Sequence, residues 1–328
     1  MSTRLLIALA RALPVLLTLC AAAPPLVHAQ NYPSKPIRFI IPFPPGGPTD
    51  LMGRAAGERI ARAFNVQVIA DNRAGAGGNI GADLCAKSLP DGYTLCMMTV
   101  AQVIAPSIYK KLAFDPIRDF SYITLMAMMP SLLTVHPALP AKTVKDVIAL
   151  AKASPGQLTY ASTGNGTSPH MLMEMFSALA GVKMVHVPYK GQAPAVVDQI
   201  AGQIQLAFNT AATVLPQVQA GKLKPIAIST RERFAPMPNL PTVEEGGVKG
   251  FDGSSWQSVV MPANTPRDIV AKLYQELATM LKSPEVREKF LAQGAMASGM
   301  PPDQFAAFAK AEMDKWSKVA KFANIRLD

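Results

Sequence analysis

The sequence has few of the residue types that perform chemistry in enzymes. Among its 328 residues are three cysteines and four histidines, and aromatic residues make up 7% of the chain. It contains no Gly-x-Ser-x-Gly, Gly-Lys-Ser/Thr, Cys-x-x-Cys or His-x-x-x-His pattern, so the common signatures of hydrolases, phosphate-binding loops, redox pairs and zinc sites are absent. His136, His170 and His186 are too dispersed to indicate a metal centre. We therefore expect a binding protein, not an enzyme, with no cofactor and no metal.

The sequence also lacks clusters of basic residues. Its formal net charge is +10, but the lysines and arginines are scattered along the chain and are not interleaved with aromatic residues. A basic surface attracts anions, whereas nucleic-acid-binding proteins usually concentrate their basic residues on one face. We therefore expect no nucleic-acid partner.

Long hydrophobic runs are missing as well. The longest apolar stretch, residues 13–23, is interrupted by polar residues and is shorter than the roughly 20 residues that a membrane-spanning helix needs. Arg4 precedes it, and small residues around Ala29 follow it, which is typical of a cleaved export signal. The sequence predicts a signal peptide over residues 1–29 and a periplasmic mature protein. Lipidation at Cys20 is left as an alternative.

Two cysteines remain after cleavage, Cys85 and Cys96. The first is expected on a helix and the second on the strand that follows it. An oxidising compartment permits a disulfide between them. From the sequence alone, two buried free thiols are favoured over the bridge.

Short apolar runs alternate with amphipathic segments, which predicts an α/β fold with a largely parallel sheet covered on both faces. Strands are expected over residues 37–43, 66–70, 94–100, 158–161, 183–187, 204–208 and 225–229. Helices are expected after an N-cap at Thr49, around Ile80 to Leu84, from Thr143 to about Ser154, and over residues 169–180, 192–201, 214–220, 266–281, 284–293 and 302–322.

Two glycine-rich turns each lead from a predicted strand into a predicted helix. They occupy residues 42–50 and 162–170. A helix start presents backbone N–H groups without helical acceptors and the positive end of a dipole, so such a turn can hold an anion. Two of them predict two lobes that close on one small ligand.

The candidate ligand-binding residues lie in these turns and at strand ends. The first turn contributes Phe43, Gly46, Gly47, Thr49 and Asp50, and the second contributes Ser162, Gly164, Asn165, Gly166, Thr167 and His170. Thr99, Tyr189 and Asn209 end or follow strands, where α/β sheets bind ligands. Glycine lets the backbone approach a carboxylate closely. Asp50 either complements the helix dipole or orients a ligand group, and His170 is either a structural hydrogen-bonding group or a ligand contact.

Seven short motifs, in order along the chain, are typical of one family. They are Pro-Phe-Pro-Pro-Gly-Gly-Pro-Thr-Asp at 42–50, Asn-Arg-Ala-Gly-Ala-Gly-Gly at 72–78, Pro-Asp-Gly-Tyr-Thr-Leu at 90–95, Asp-Pro-Ile-Arg-Asp-Phe at 115–120, the loop at 162–170, His-Val-Pro-Tyr-Lys-Gly at 186–191 and Pro-Thr-Val-Glu-Glu-Gly at 241–246. With them the chain resembles the Bug (TctC-like) extracytoplasmic solute receptors of tripartite tricarboxylate transporters.

The resemblance implies a type II-like, two-lobed periplasmic binding fold, each lobe a mixed sheet flanked by helices, with the ligand cleft at the hinge. We expect lobe 1 to contain residues 30–130 and 254–328, and lobe 2 residues 131–253. The resemblance also implies a monomer that binds a small carboxylate through backbone amides and waters and delivers it to membrane permease subunits. Asn209 stands where many relatives carry Asp, which leaves the ligand's identity open.

Two other functions stay open at this point. The same scaffold could carry a small-molecule hydrolase or lyase that uses Asp50 or His170. Alternatively, the protein could bind uncharged amides or aromatic acids as part of a sensor, since Asn209 is a neutral donor and acceptor.

Overall fold

The computed structural model describes residues 32–292 and 294–327. The predicted signal peptide and Cys20 lie outside these residues. The strands are β1 Ile37–Ile41, β2 Val68–Asn72, β3 Thr94–Thr99, β4 Phe120–Met129, β5 Ser131–Val135, β6 Thr159–Ser162, β7 Val185–Pro188, β8 Leu206–Thr210, β9 Lys224–Ile228, β10 Ser255–Pro262 and β11 Met296–Met300.

The helices follow the strands in alternation over most of the chain. They are α1 Pro48–Phe64, α2 Asn79–Ala86, α3 Val100–Ile108, α4 Val144–Ala153, α5 Ser168–Ala180, α6 Gln192–Ile200, α7 Ala211–Gln219, α8 Arg267–Lys282, α9 Pro284–Ala292 and α10 Pro302–Phe322. Within the described ranges, no helix has both the length and the hydropathy that are needed to cross a membrane. Five elements, α3, β4, β5, β10 and β11, were not expected from the sequence.

The strands form two sheets, one in the order β11-β4-β10-β3-β1-β2 and the other in the order β7-β6-β8-β5-β9. The pairs β1–β2, β1–β3, β6–β7 and β6–β8 are parallel. Strands β10 and β5, however, pair antiparallel with both of their neighbours. The prediction of a largely parallel sheet is therefore wrong. The chain reaches β5 and β10 when it crosses from one sheet to the other, and each of these strands runs antiparallel to the strands of the βαβ units beside it. The mixed sheets that the resemblance implied are confirmed.

The chain crosses between the sheets twice. It passes from β4 to β5 between Met129 and Ser131, and it returns between the ends of β9 and β10. The buried Ser229 joins the two crossings, since its hydroxyl accepts the Ser131 N–H at 3.0 Å and donates to the Gly253 carbonyl at 2.6 Å. Sheet membership thus changes close to the predicted lobe boundaries, and the boundaries themselves stay a prediction.

Local signals placed several helix ends correctly. Thr143 caps α4 in a capping box with Asp146, and Gly181 ends α5 in the left-handed conformation that favours glycine. The predicted N-cap at Thr49 is wrong, because α1 begins at Pro48 and Gly47 is its N-cap. Proline suits the first helical position, where its missing N–H would have no helical partner.

Cys85 of α2 and Cys96 of β3 form a disulfide, so the preference for free thiols is wrong. Helix α2 packs on β3 and brings the two Cα atoms to 6.3 Å, within the range that a disulfide spans. Spacing in the sequence could not show this, because the separation depends on how the helix folds back over the strand.

Candidate functional site

Five helices point their N-terminal ends at one cavity of about 80 Å³. The N-cap residues of α1, α3, α5, α6 and α7 all line it, and they are Gly47, Thr99, Thr167, Gly191 and Thr210. The first two belong to helices that follow strands of the six-stranded sheet, and the other three to helices of the five-stranded sheet. The cavity therefore lies where helix starts from both sheets converge.

This convergence makes the cavity electropositive. In α1 the Leu51 N–H is bonded to the Gly47 carbonyl at 3.0 Å, and in α5 the Met171 N–H is bonded to the Thr167 carbonyl at 3.0 Å. In these two helices the N–H groups nearer the start have no acceptor within the helix, whereas in α3 Thr99 Oγ1 accepts the Ala101 N–H at 3.2 Å. Each of the five starts carries the positive end of its helix dipole. Of the described residues that line the cavity, Lys190 alone carries a formal charge. The arrangement suits an anion.

A wider cavity of about 410 Å³ adjoins the first. The two cavities share Phe43, Pro44, Thr163 and Lys190. Here the turn over residues 74–78 meets the second glycine-rich turn, and a Cβ atom built on Gly77 would lie 2.6 Å from the Asn165 carbonyl oxygen. The two turns come from opposite sheets, so the protein closes over the cavities by direct backbone contact.

Asp50 fixes the first glycine-rich turn by hydrogen bonds, without lining the cavity itself. Its carboxylate accepts hydrogen bonds from the Gly46 N–H at 3.0 Å, from Asn72 Nδ2 at 2.9 Å and from Arg54 Nε at 2.9 Å. Asn72 Nδ2 also donates to the Phe43 carbonyl at 2.9 Å. Burial by itself would raise the pKa of Asp50, but these hydrogen bonds and the Arg54 charge outweigh it and hold the pKa below its usual value. Asp50 thus stays ionised and fixes the turn.

Two histidines hold the second glycine-rich turn in the same way. His170 Nδ1 accepts the Gly166 N–H at 3.1 Å, and His186 Nε2 lies 2.6 Å from Ser162 Oγ, which accepts the Gly164 N–H at 3.1 Å. The two imidazole rings stack with centroids 4.1 Å apart. Burial, followed by the charge of His186, lowers the pKa of His170 to about 3, and burial lowers the pKa of His186 to about 4. Both rings are therefore neutral at neutral pH.

Asn209 is buried in β8, a strand whose five residues are all buried. Its amide nitrogen donates to Thr134 Oγ1 at 2.8 Å and to Gln199 Oε1 at 2.7 Å, and its carbonyl oxygen accepts from Gln192 Nε2 at 3.4 Å. Successive strand residues face opposite sides, and the next residue, Thr210, lines the first cavity. The predicted strand ended two residues too early, which hid this alternation.

The structure brings together some of the predicted site residues and separates others. Phe43, Gly47, Thr49, Thr99 and Thr167 line the first cavity, and Gly164, Asn165 and Tyr189 line the second. Gly46, Asp50, Ser162, Gly166, His170 and Asn209 line neither of these two. Ligand contact by these residues stays a prediction in every case.

Polar residues outside the predicted set also line the first cavity, among them Lys190, Gln192, Thr210, Ser255 and Gln257. Lys190 and Gln192 lie at the start of a predicted helix, so the rule that pointed to the glycine-rich turns could have found them. Gln257 and Ser255 give no such signal, because their strand β10 reaches the site only through pairing with β3.

Comparison with known proteins agrees with this geometry. The fold is that of the two-lobed periplasmic binding proteins, as solved structures of that class superpose on it. The profile of the tripartite tricarboxylate transporter family receptors matches residues 52–325, and the chain belongs to this family.

Individual relatives are similar over nearly the whole chain. BugT of Bordetella pertussis is 34% identical over 308 residues, which cover 93% of this chain and 94% of BugT. Rpa4515 of R. palustris, solved with adipate, has a TM-score of 0.87 and 34% identity over 90% of this chain and 99% of its own. MatC of Rhodopseudomonas palustris, solved with bound malate, has a TM-score of 0.84 and 28% identity over 88% of this chain and 99% of its own.

Proposed function

We propose that this protein is an exported receptor that binds a small carboxylate between its two lobes and delivers it to a membrane permease. The observation that carries the proposal is the convergence of five helix N-caps and Lys190 on one cavity. A carboxylate there would accept hydrogen bonds from main-chain N–H groups of both lobes. The adipate and malate bound by the two R. palustris relatives support this class of ligand.

Binding would be coupled to closure of the lobes. We take lobe 1 as residues 30–130 and 254–328, lobe 2 as residues 131–253, and the crossings joined by Ser229 as the hinge. A ligand held by α1 and α3 on one side and by α5, α6 and α7 on the other makes its full set of contacts only when the lobes are together. The ligand therefore shifts the population toward the closed form, which the permease can recognise.

The remaining parts of the proposal concern export and assembly. Cleavage of residues 1–29 would release the mature protein into the periplasm, and the transport partner would be the permease subunits of a tripartite transporter. The receptor would act as a monomer, since each chain contains both halves of the cavity.

We propose binding without chemistry. A hydrolase or lyase would need Asp50 or His170 to reach the ligand, but both side chains are engaged in holding turns and neither lines the cavities. An uncharged amide would gain little from helix dipoles and from Lys190, so a carboxylate fits the site better.

Ligand screening tests the proposal directly. Mature protein beginning at Gln30 should show a higher unfolding temperature with a cognate carboxylate, because a ligand that binds only the folded state stabilises it. Succinate, malate and adipate should be compared with their diamides, and calorimetry should give one site per chain with no product formed. The proposal is wrong if the diamides bind as well as the acids, or if a bound acid is turned over.

A further inference from the structure

The end of helix α3 packs directly against the second glycine-rich turn. A Cβ atom built on Gly166 would collide with Ile108 Cδ1 and would lie 3.5 Å from Tyr109 Cε2. Ile108 is 2% exposed, and the Tyr109 hydroxyl donates a hydrogen bond to the Asn165 carbonyl at 3.3 Å. Helix α3 follows β3 of the six-stranded sheet, and the turn follows β6 of the five-stranded sheet. This contact therefore joins the two proposed lobes.

Both partners of the contact are fixed within their own lobes. The Ile108 carbonyl accepts the Leu327 N–H at 2.6 Å, so the C-terminal segment anchors the end of α3. On the other side, His170 Nδ1 accepts the Gly166 N–H at 3.1 Å. Because Tyr109 and Asn165 both line the second cavity, the contact spans the cleft. Separation of the lobes would therefore break it, and closure would restore it.

The contact needs neither an ion pair nor a ligand atom. The ion pairs between described residues each lie within one proposed lobe. Burial raises the pKa of Tyr109 above its usual value, so its hydroxyl keeps the proton that it donates to Asn165. Ile108 lines neither of the two cavities, so it acts on the other lobe and not on a bound molecule.

We propose that Ile108 and Tyr109 form a latch that stabilises the closed form of the receptor by contact between protein groups alone. A ligand that binds tightly only to the closed form has an apparent affinity that scales with the fraction of closed molecules. The latch raises that fraction, so it strengthens the binding of every ligand by the same factor, while the cavity determines which ligand is preferred. This inference rests on the proposed function of the same cavities.

A single methyl group tests the latch. Ile108→Val deletes Cδ1, the atom that touches Gly166, and Ile60→Val deletes the same methyl group from a buried side chain of α1 in the same lobe. Both variants should lower the free energy of unfolding of the ligand-free protein by similar amounts. In calorimetry with succinate, malate and adipate, only Ile108→Val should weaken binding. We expect about a fourfold loss for each acid that binds, the worth of one buried methyl group.

The hydroxyl of Tyr109 is tested against a tyrosine with the same kind of bond. Tyr274 is also half-buried and donates to a backbone carbonyl, that of Gly299 at 3.5 Å, but both of these residues lie in lobe 1. Tyr109→Phe should weaken all of the bound acids by about threefold, the worth of one hydrogen bond. Tyr274→Phe should leave the affinities unchanged.

The outcomes separate the latch from the proposed function. If the acids bind but either Ile108→Val or Tyr109→Phe keeps the wild-type affinity, or if the loss differs clearly between the acids, the latch is refuted and the carboxylate receptor stands. If no acid binds, the receptor proposal is contradicted, and small-angle X-ray scattering of the ligand-free protein tests the latch. The radius of gyration of the double variant Ile108→Ala and Tyr109→Ala should then exceed that of the wild type, and equal radii would refute the latch.

Discussion

At the scale of the single residue, Gly47 is where an added side chain tests the backbone's approach to the ligand. Its φ and ψ of −84° and 170° are extended values open to any residue, and a Cβ atom there would have only the Pro44 carbonyl oxygen nearby, at 3.9 Å. Gly47→Val should therefore fold normally but obstruct the cavity. We expect carboxylate affinity measured by calorimetry to fall at least about tenfold, about 1.4 kcal/mol. The affinity of Gly47→Ala should lie between those of the wild type and the valine variant. An unchanged affinity in the valine variant would show that Gly47 does not contact the ligand.

Lys190 provides the second test at this scale. It is exposed and lines both cavities, so its charge acts on an anion through solvent and is screened by salt. Lys190→Met should weaken carboxylate binding by about fivefold at low ionic strength and by less at high ionic strength, as expected for an exposed pair worth up to about 1 kcal/mol. Lys222→Met, on the exposed turn after α7, is the matched control and should have no effect. A loss that is independent of salt would contradict an electrostatic role.

At the scale of the element, the contact between two turns across the cleft can be isolated with a pair of glycines. Gly77 and Gly181 have nearly the same backbone conformation, with φ of +66° and +64°. A Cβ atom on Gly77 would lie 2.6 Å from the Asn165 carbonyl oxygen, whereas one on Gly181 would have no atom within 4 Å. Both alanine variants should lose about 1 kcal/mol of stability from the left-handed backbone. Only Gly77→Ala should also weaken ligand binding, because its added methyl group would hold the two turns apart. Equal ligand affinities of the two variants would refute this.

The same scale shows which elements could be predicted from the sequence. Helices α4 and α5 have local boundary signals, namely Thr143 and Gly181, and were found. Helix α3 was missed because its first residue, Val100, continues the apolar run of β3 without a glycine or proline between them. The glycine-rich turns were found for the same local reason as the capped helices. The position of Gln257 in the cavity was not predictable, because it depends on strand pairing between distant parts of the chain.

At the scale of the whole molecule, the two buried histidines make stability depend on pH. The folded pKa values of His170 and His186, about 3 and about 4, lie below the value of about 6.5 for an exposed histidine. Below pH 6.5 the unfolded chain binds more protons than the folded one, so the free energy of unfolding falls as the pH falls toward 4. His170 alone should account for a loss of about 2 kcal/mol at pH 5.

Urea unfolding at pH 7 and pH 5 measures this dependence. In the double variant His170→Asn and His186→Gln the amides can keep hydrogen bonds to the turn, so the difference between the two pH values should largely disappear. His136→Asn, outside the stacked pair, is the control and should retain the wild-type dependence. Carboxylates such as Asp50 change the free energy of unfolding only at lower pH. Their stabilisation is present above about pH 3.8 and is lost as the pH falls through their lowered pKa. The same slope in the double variant and the wild type would contradict the histidine explanation.

The bond between Cys85 and Cys96 has a consequence for where the chain acquires its final form. To form this disulfide, each thiol must give up a hydrogen atom to an external oxidant. The reducing cytosol does not allow such a disulfide to persist. Under the export that we propose, copies still in the cytosol would keep α2 attached to β3 by packing alone and would lack a cross-link worth roughly 2–4 kcal/mol. The covalent state of this one helix would then distinguish molecules that have met an oxidising compartment from those that have not.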